Sequence, residues 1–358
     1  MNVRQLKTCL KKFARVPLIH APTPFRKLEN LTAELGGPEV YIKRDDLTGL
    51  AFGGNKSRKL EFIIPDMLAK KADAVVTWAA LQSNWAMQTA ASARRFGIDP
   101  VLILFKRYDL PDDYDGNMLL DRILGAEILI KEPLQGISSK SADYLAVAEE
   151  VAEGLRQKGR SPYVIGVGGS MPMGSMTTPL GAVSYVDAFR EMIEQTRRDG
   201  FEPDYVVHST GSGATQAGLI VGAKVLSPKT KVIGISVSDP KETFAEEVLT
   251  IAKMTEKALG VEAGVKPKDV VVFDEYIKDG YGIVNQEVAD VIRLMFTREG
   301  IVLDPVYTSK AFAGLIDLTK KKVLKRKTKV VFFHTGGTPA LFPNRRKIVE
   351  FLEKSIEI

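Results

Sequence analysis

Apolar runs of strand length alternate with runs of helical period along almost the whole chain, and few architectures accept that order. In the first half the strand-like runs are "EVYIKR", "ADAVVTW", "PVLILFK", "AEILIK" and "PYVIGV"; in the second they are "DYVVHS", "KVIGISVS", "VVVFDEY" and "KVVFFHT". Between them, Leu60, Ile63, Ile64, Met67 and Leu68 recur at helical spacing, interrupted by Pro65, which predicts a kink. Further helices are expected at 117–124, 141–158, 241–259, 285–298 and 308–321, and one with a small-residue face at Ala86, Thr89, Ala90 and Ala93. Strands that alternate with helices imply an α/β fold of parallel sheets covered by helices on both faces. A chain of 358 residues exceeds the ~250–300 that one core usually holds, so two domains are expected.

Composition narrows the function. The net charge of +6 is spread with both signs interleaved, which gives no nucleic-acid footprint. Cys9 is the single cysteine and there are three histidines, so neither an intrachain disulfide nor a cysteine–histidine metal cluster can form. No apolar run approaches the ~20 residues of a membrane span. Residues 1–28 hold seven Lys and Arg without one acid. Val3, Leu6, Leu10 and Phe13 nevertheless share a helical face, which predicts a docked first helix rather than a transit peptide, and a cytoplasmic protein.

In parallel sheets ligands gather beyond the carboxyl ends of strands, and four turns rich in glycine or small polar residues stand at such ends: 49–56, 79–84, 209–215 and 335–338. The first, "TGLAFGGNKS", imitates a nucleotide-binding P-loop, but Asn55 separates Gly54 from Lys56 and Ser57. Backbone cradle and lysine reach are coupled in that motif, so the insertion argues against it. In the third, Gly211 and Gly213 are followed next by Gly218, too late for a dinucleotide fingerprint. "STGSGATQAG" still offers free amides, hydroxyls and a helix start, which suit a single phosphate, or a plain capped helix. A lysine not needed for a phosphate can attack an aldehyde. Lysine and phosphate cup together describe pyridoxal phosphate.

The segments "PTPFRKLENLTAELGG", "IKRDDLTGLAFGGNKSRKLEF", "QSN", "PLGAVSYVDA", "GSGATQAGL", "DGYGI", "EGIVLDPVYTSKAFAGL" and "FFHTGGTPALF" occur in the order of a known family. The chain resembles the 1-aminocyclopropane-1-carboxylate deaminase and D-cysteine desulfhydrase family of fold type II pyridoxal phosphate enzymes, over nearly its whole length. The resemblance implies two open, mostly parallel sheets of the tryptophan synthase β-like kind, with the cofactor in the cleft between domains. It implies a large domain of residues 1–52 and 187–358, a small domain of 53–186, and a homodimer. It also implies roles. Lys56 would bond covalently to the cofactor, Asn84 would meet its phenolic oxygen, and Gly211, Ser212, Gly213, Ala214 and Thr215 would bind its phosphate. Gln82, Ser83, Asn84 and Trp85 would hold the substrate, with Ser83, Tyr281 and Tyr307 acting beside Lys56 in catalysis.

Thr308 and Thr335 stand where the deaminase branch carries Glu and Leu and where the desulfhydrase branch carries threonine. A carboxylate facing the pyridine nitrogen would keep it protonated; a hydroxyl can leave it neutral. That suffices when loss of the Cα proton is followed by departure of a good leaving group from Cβ. The expected reaction is therefore β-elimination from D-cysteine to pyruvate, hydrogen sulfide and ammonia. The alternatives are L-cysteate or another β-substituted alanine, the cyclopropane amino acid, and a non-catalytic binder of the cofactor. Trp78, Ala79, Ala80, Trp85 and Met87 depart from the family pattern around "QSN", and Met87 replaces an arginine that a sulfonate would favour. The "GGSMPMGSMTT" loop at 168–178 is also longer than the family's usual one.

Overall fold

The computed structural model describes residues 1–107, 114–134 and 138–354. Among these residues ten strands form two sheets. The larger runs β1-β2-β10-β7-β8-β9, with β1 Phe25–Lys27, β2 Glu39–Arg44, β7 Tyr205–Thr210, β8 Lys231–Ser236, β9 Val271–Phe273 and β10 Lys329–His334. The smaller runs β5-β4-β3-β6, with β3 Ala74–Ala80, β4 Asp99–Phe105, β5 Glu127–Lys131 and β6 Pro162–Ile165. Among the described strands only the β1–β2 pair is antiparallel. The central strands are apolar at nearly every position because helices cover both faces; β3, Ala74 to Ala80, is buried throughout.

Helices form close to where the periodicity places them. The one expected at 241–259 is Lys241–Leu259, and that expected at 308–321 is Thr308–Lys320. Of the N-terminal face, Leu6 and Leu10 are buried on helix Val3–Leu10. Helix Asn55–Ala69 continues as one element through Pro65. A proline at that position cannot donate to the carbonyl of Glu61. The N–H of Val16 takes its place at 3.0 Å, and the Glu61 carboxylate accepts from the amides of Leu18 and Ile19 at 2.9 and 3.1 Å. The gap left by the proline thus anchors the N-terminal segment.

Helix Leu180–Arg198 packs along helix Ala214–Leu226. A Cβ at Gly218 would lie 2.2 Å from the carbonyl of Ala182, so glycine sets how closely the two helices approach. The expected boundary at 186/187 falls inside the first of these helices. The loop at 168–178 follows on from a short turn at Val167–Gly169 and folds against both sheets: Met173 packs with Trp78, and a Cβ on Gly168 would meet Ser212 Oγ. Among the described residues no helix is long and apolar enough to cross a membrane.

Candidate active site

The carboxyl ends of β3 and β4 face those of β7, β8 and β10 across a cavity to which all four glycine or small-residue turns contribute. Of the residues singled out in the sequence, Lys56, Ser83, Asn84, Trp85, Gly211, Ser212, Gly213, Thr215, Tyr281, Tyr307 and Thr335 line it. Gln82, Ala214 and Thr308 do not.

Lys56 is the second residue of helix Asn55–Ala69. Gly54 brings it there, at φ +128°, where a Cβ would lie 2.9 Å from Gln88 Nε2 and 3.1 Å from the carbonyl of Thr335. That closeness lets the N–H of Asn55 donate to the Thr335 carbonyl at 2.9 Å, tying two of the turns together. Lys56 Nζ donates to Asn55 Oδ1 at 2.8 Å and has no carboxylate in ion-pair contact among the described residues. Burial lowers its pKa to about 8, against the opposing pull of Asp304. An amine with that pKa is a nucleophile and a base near neutral pH.

Helix Ala214–Leu226 starts at Gly213, φ +87°, with no side chain capping it. Its first amides are therefore open to an anion, and Ala214, though off the cavity surface, is the first residue of that helix. Ser212 and Thr215 add hydroxyls, and the Thr215 oxygen accepts from Asn55 Nδ2 at 3.2 Å. Lys140 lies alongside, 3.3 Å from the Gly211 carbonyl, with Glu247 at 2.5 Å and Asp239 at 3.3 Å.

Asn84 Oδ1 accepts from Asn117 Nδ2 at 2.9 Å, which leaves its NH₂ as the group to offer. Ser83 lines the cavity and also caps helix Asn84–Arg95, accepting from the amides of Trp85 and Ala86 at 3.1 and 3.3 Å. Tyr281 and Tyr307 share a hydrogen bond of 2.5 Å between their hydroxyls. Burial raises the Tyr281 pKa, while the bond from Tyr307 and the charge of Arg107 pull it back. Lys310 holds the Tyr281 loop by donating to the carbonyls of Ile277 and Gly280 at 2.9 and 2.6 Å.

Two expected contacts are corrected. Gln82 spends its amide on the backbone of Asp115 and Asn117, at 3.0 and 2.8 Å, so it supports the turn instead of facing a substrate. Thr308 donates its hydroxyl to Asp304 Oδ1 at 2.6 Å and accepts from the Asp304 amide at 2.8 Å. Its hydrogen is committed and it is fully buried, so it has no donor for a cofactor ring. Thr335 does line the cavity, paired with Ser209 at 3.0 Å. Trp78 and Met87 are buried away from the cavity, whereas Trp85 forms part of its wall and bonds Thr77 through Nε1 at 2.8 Å.

The sequence reading missed Asp304, Asn117, Arg107 and Lys140. Asp304 accepts four bonds, from the amides of Val306, Tyr307 and Thr308 and the Thr308 hydroxyl. An Asp-Pro pair just before a helix was its signal. Arg107 and Lys140 stand in non-glycine segments that the strand-end rule covers equally well.

The residues present fit pyridoxal phosphate: a half-buried amine with a lowered pKa for the aldehyde, an uncapped helix start for the phosphate, and the Asn84 amide donor for a phenolic oxygen. The comparisons agree. Residues 16–336 match the model of the family described as pyridoxal-phosphate dependent enzyme. A Pyrococcus furiosus protein with the provisional name 1-aminocyclopropane-1-carboxylate deaminase is 43% identical over 97% of this chain and 99% of its own. The D-cysteine desulfhydrase of Serratia proteamaculans is 38% identical over 96% of this chain and 98% of its own. A crystal structure of an ACC deaminase homologue superposes with TM-score 0.85 at 39% identity, covering 97% of this chain and 99% of the other. A pocket that suits the cofactor, on a chain this similar to its users, places the protein among the fold type II pyridoxal-phosphate-dependent enzymes, in the family of the 1-aminocyclopropane-1-carboxylate deaminases and D-cysteine desulfhydrases.

Proposed function

We propose that the enzyme is a lyase that eliminates a β-substituent from a small amino acid, with D-cysteine the first candidate and pyruvate, hydrogen sulfide and ammonia the products. The observation that carries this reading is the Ser209–Thr335 hydroxyl pair, on a cavity wall whose one acid among the described residues is Asp239. Asp239 is engaged by Lys140 and Ser238. A pyridine nitrogen that met hydroxyls instead of a carboxylate could stay neutral, and such a ring would suit elimination of a good leaving group.

Bound here, pyridoxal phosphate supplies an aldehyde that captures the substrate's amine and a ring that draws off electron density from Cα. The amine of Lys56, with its pKa near 8, takes the Cα proton. Asn84 would offer its amide to the cofactor's phenolic oxygen, and the open amides at the start of helix Ala214–Leu226 would hold its phosphate. Ser83, at the mouth of the helix after β3, offers its hydroxyl hydrogen to the substrate carboxylate. The Tyr281–Tyr307 pair is the proton source nearest a group leaving Cβ. By resemblance the enzyme is a homodimer, and its lone cysteine suits the reducing cytoplasm.

The reading 1-aminocyclopropane-1-carboxylate deaminase is favoured by the names of several relatives, among them the Pyrococcus furiosus protein and the 38% identical deaminase of Bradyrhizobium diazoefficiens, and of the superposed crystal structure. A panel of D- and L-cysteine, D- and L-cysteate, β-chloroalanine and the cyclopropane amino acid separates the two. Pyruvate and sulfide from D-cysteine, without 2-oxobutanoate from the cyclopropane substrate, is the expected result. The reverse pattern contradicts the proposal.

A further inference from the structure

Among the described residues, Lys56, Arg107 and Lys140 are the cations that line the cavity. Lys56 holds the reacting position, and Lys140 is neutralised by Glu247 and Asp239. Asp239, the one carboxylate on the wall among the described residues, is thereby occupied. Arg107, two residues past β4, is different. Its guanidinium carbon lies 5.8 Å from the centroid of the Tyr281 ring, and it makes no ion pair among the described residues. It is exposed at the cavity mouth. A guanidinium resting on an aromatic face keeps its planar fork of donors available for an oxyanion or thiolate.

Its place in the cavity says which end of a substrate it meets. Tyr281, the ring on which it rests, is bonded to Tyr307. In the lyase reading this is the leaving-group side, whereas the substrate carboxylate belongs at Ser83 and Asn84. We propose that Arg107 is a specificity-determining residue that binds negative charge on the substituent at Cβ. The favoured substrates are then alanines bearing a thiolate or sulfonate there, above those with an uncharged substituent. This inference rests on the lyase reading. For a sulfonate, the Cα proton passes to Lys56 and the Cβ–S bond breaks with its electron pair on sulfur. Sulfite departs, and water hydrolyses the remaining enamine to pyruvate and ammonia. No oxidant or reductant is required. Arg107 thus supplies, from the neighbouring strand, the cation that Met87 does not.

The test compares the wild-type holoenzyme with Arg107→Gln and Arg107→Lys on D- and L-cysteate and on β-chloroalanine. It follows pyruvate release and, as a binding readout, quenching of tryptophan fluorescence, of whose two sources Trp85 lines the cavity. For Arg107→Gln, kcat/KM with cysteate falls about 10- to 100-fold, as for loss of a charge-assisted contact, and the Kd for cysteate rises in step. Activity on β-chloroalanine changes by less than about threefold, and Arg107→Lys recovers part of the loss. Equal losses on both substrates would assign Arg107 to the α-carboxylate or to holding Tyr281 and overturn the inference. So would a wild-type enzyme that processes β-chloroalanine but neither binds nor processes cysteate, an outcome that leaves the lyase reading standing. A protein that takes up no coloured cofactor and releases pyruvate from neither substrate sinks both.

Discussion

Arg58 and Lys56 sit two residues apart on one helix and meet opposite surroundings. Arg58 points into a buried lock of charges. It donates to Asp45 through Nε and Nη2 at 2.9 and 2.8 Å, and to Glu191 through Nη2 and Nη1 at 2.8 and 3.2 Å. Lys43 completes the lock at 2.5 Å from Glu191, and Tyr185 and Thr23 donate to Asp45 at 2.7 and 2.9 Å. Burial works against the Glu191 charge, yet Arg58 and Lys43 hold its pKa far below the usual carboxylate range. Lys56 faces the other way, with a carboxamide for company and a pKa lowered by burial. One helix therefore carries a cation whose charge is fully matched and a cation whose charge is discouraged. Matched charge fixes the loop before the helix; unmatched charge leaves an amine free to react.

The largest contrast should come from replacing each cation by methionine. Lys56→Met is expected to reduce turnover to background with no loss of folding stability, because the side chain removed was one that burial disfavoured in its charged form. Arg58→Met leaves two buried carboxylates short of their partner and should cost about 3–5 kcal/mol in denaturant unfolding. If Lys56→Met proved the more destabilising of the two, the division between structural and reactive cation would fail. A smaller effect sharpens the boundary. Thr308→Val should lose about 1 kcal/mol, for the hydrogen bonds to Asp304, and leave the cofactor's visible spectrum where it was. A displaced spectrum would return that hydroxyl to the cavity.

Much of this was legible in the chain, for reasons that particular residues show. The alternation of buried strands and helices set both sheets, since residues such as Val75, Val76 and Trp78 are apolar on both faces of β3. Lys56 and the start of helix Ala214–Leu226 were readable because glycine turns at strand ends are local features. Gln82 and Thr308 were misplaced because the fate of a polar side chain depends on what packs against it. Asn117 claims Gln82 from 35 residues away, and Asp304 outcompetes any ligand for the Thr308 hydroxyl. Arg107 was overlooked because it carries no motif; only its seat on Tyr281 marks it. Pro65 was expected to bend its helix, and the compensating donor, Val16, lies far off in sequence.

The central claim is that Lys56, and no other lysine, bonds to the cofactor. Lys59, one turn further along the helix, is the sharpest control: it is fully buried, and burial together with the charge of Lys56 drives its pKa well below the ordinary value. The direct measurement is incubation with pyridoxal phosphate across a pH series, reduction with borohydride, and mapping of the labelled peptide by mass spectrometry. A lowered pKa means that the reactive neutral form grows as pH rises, so the account predicts one label, on Lys56, increasing through pH 8 or thereabouts and then levelling. A label on Lys59 or Lys140, or none at all, would contradict it.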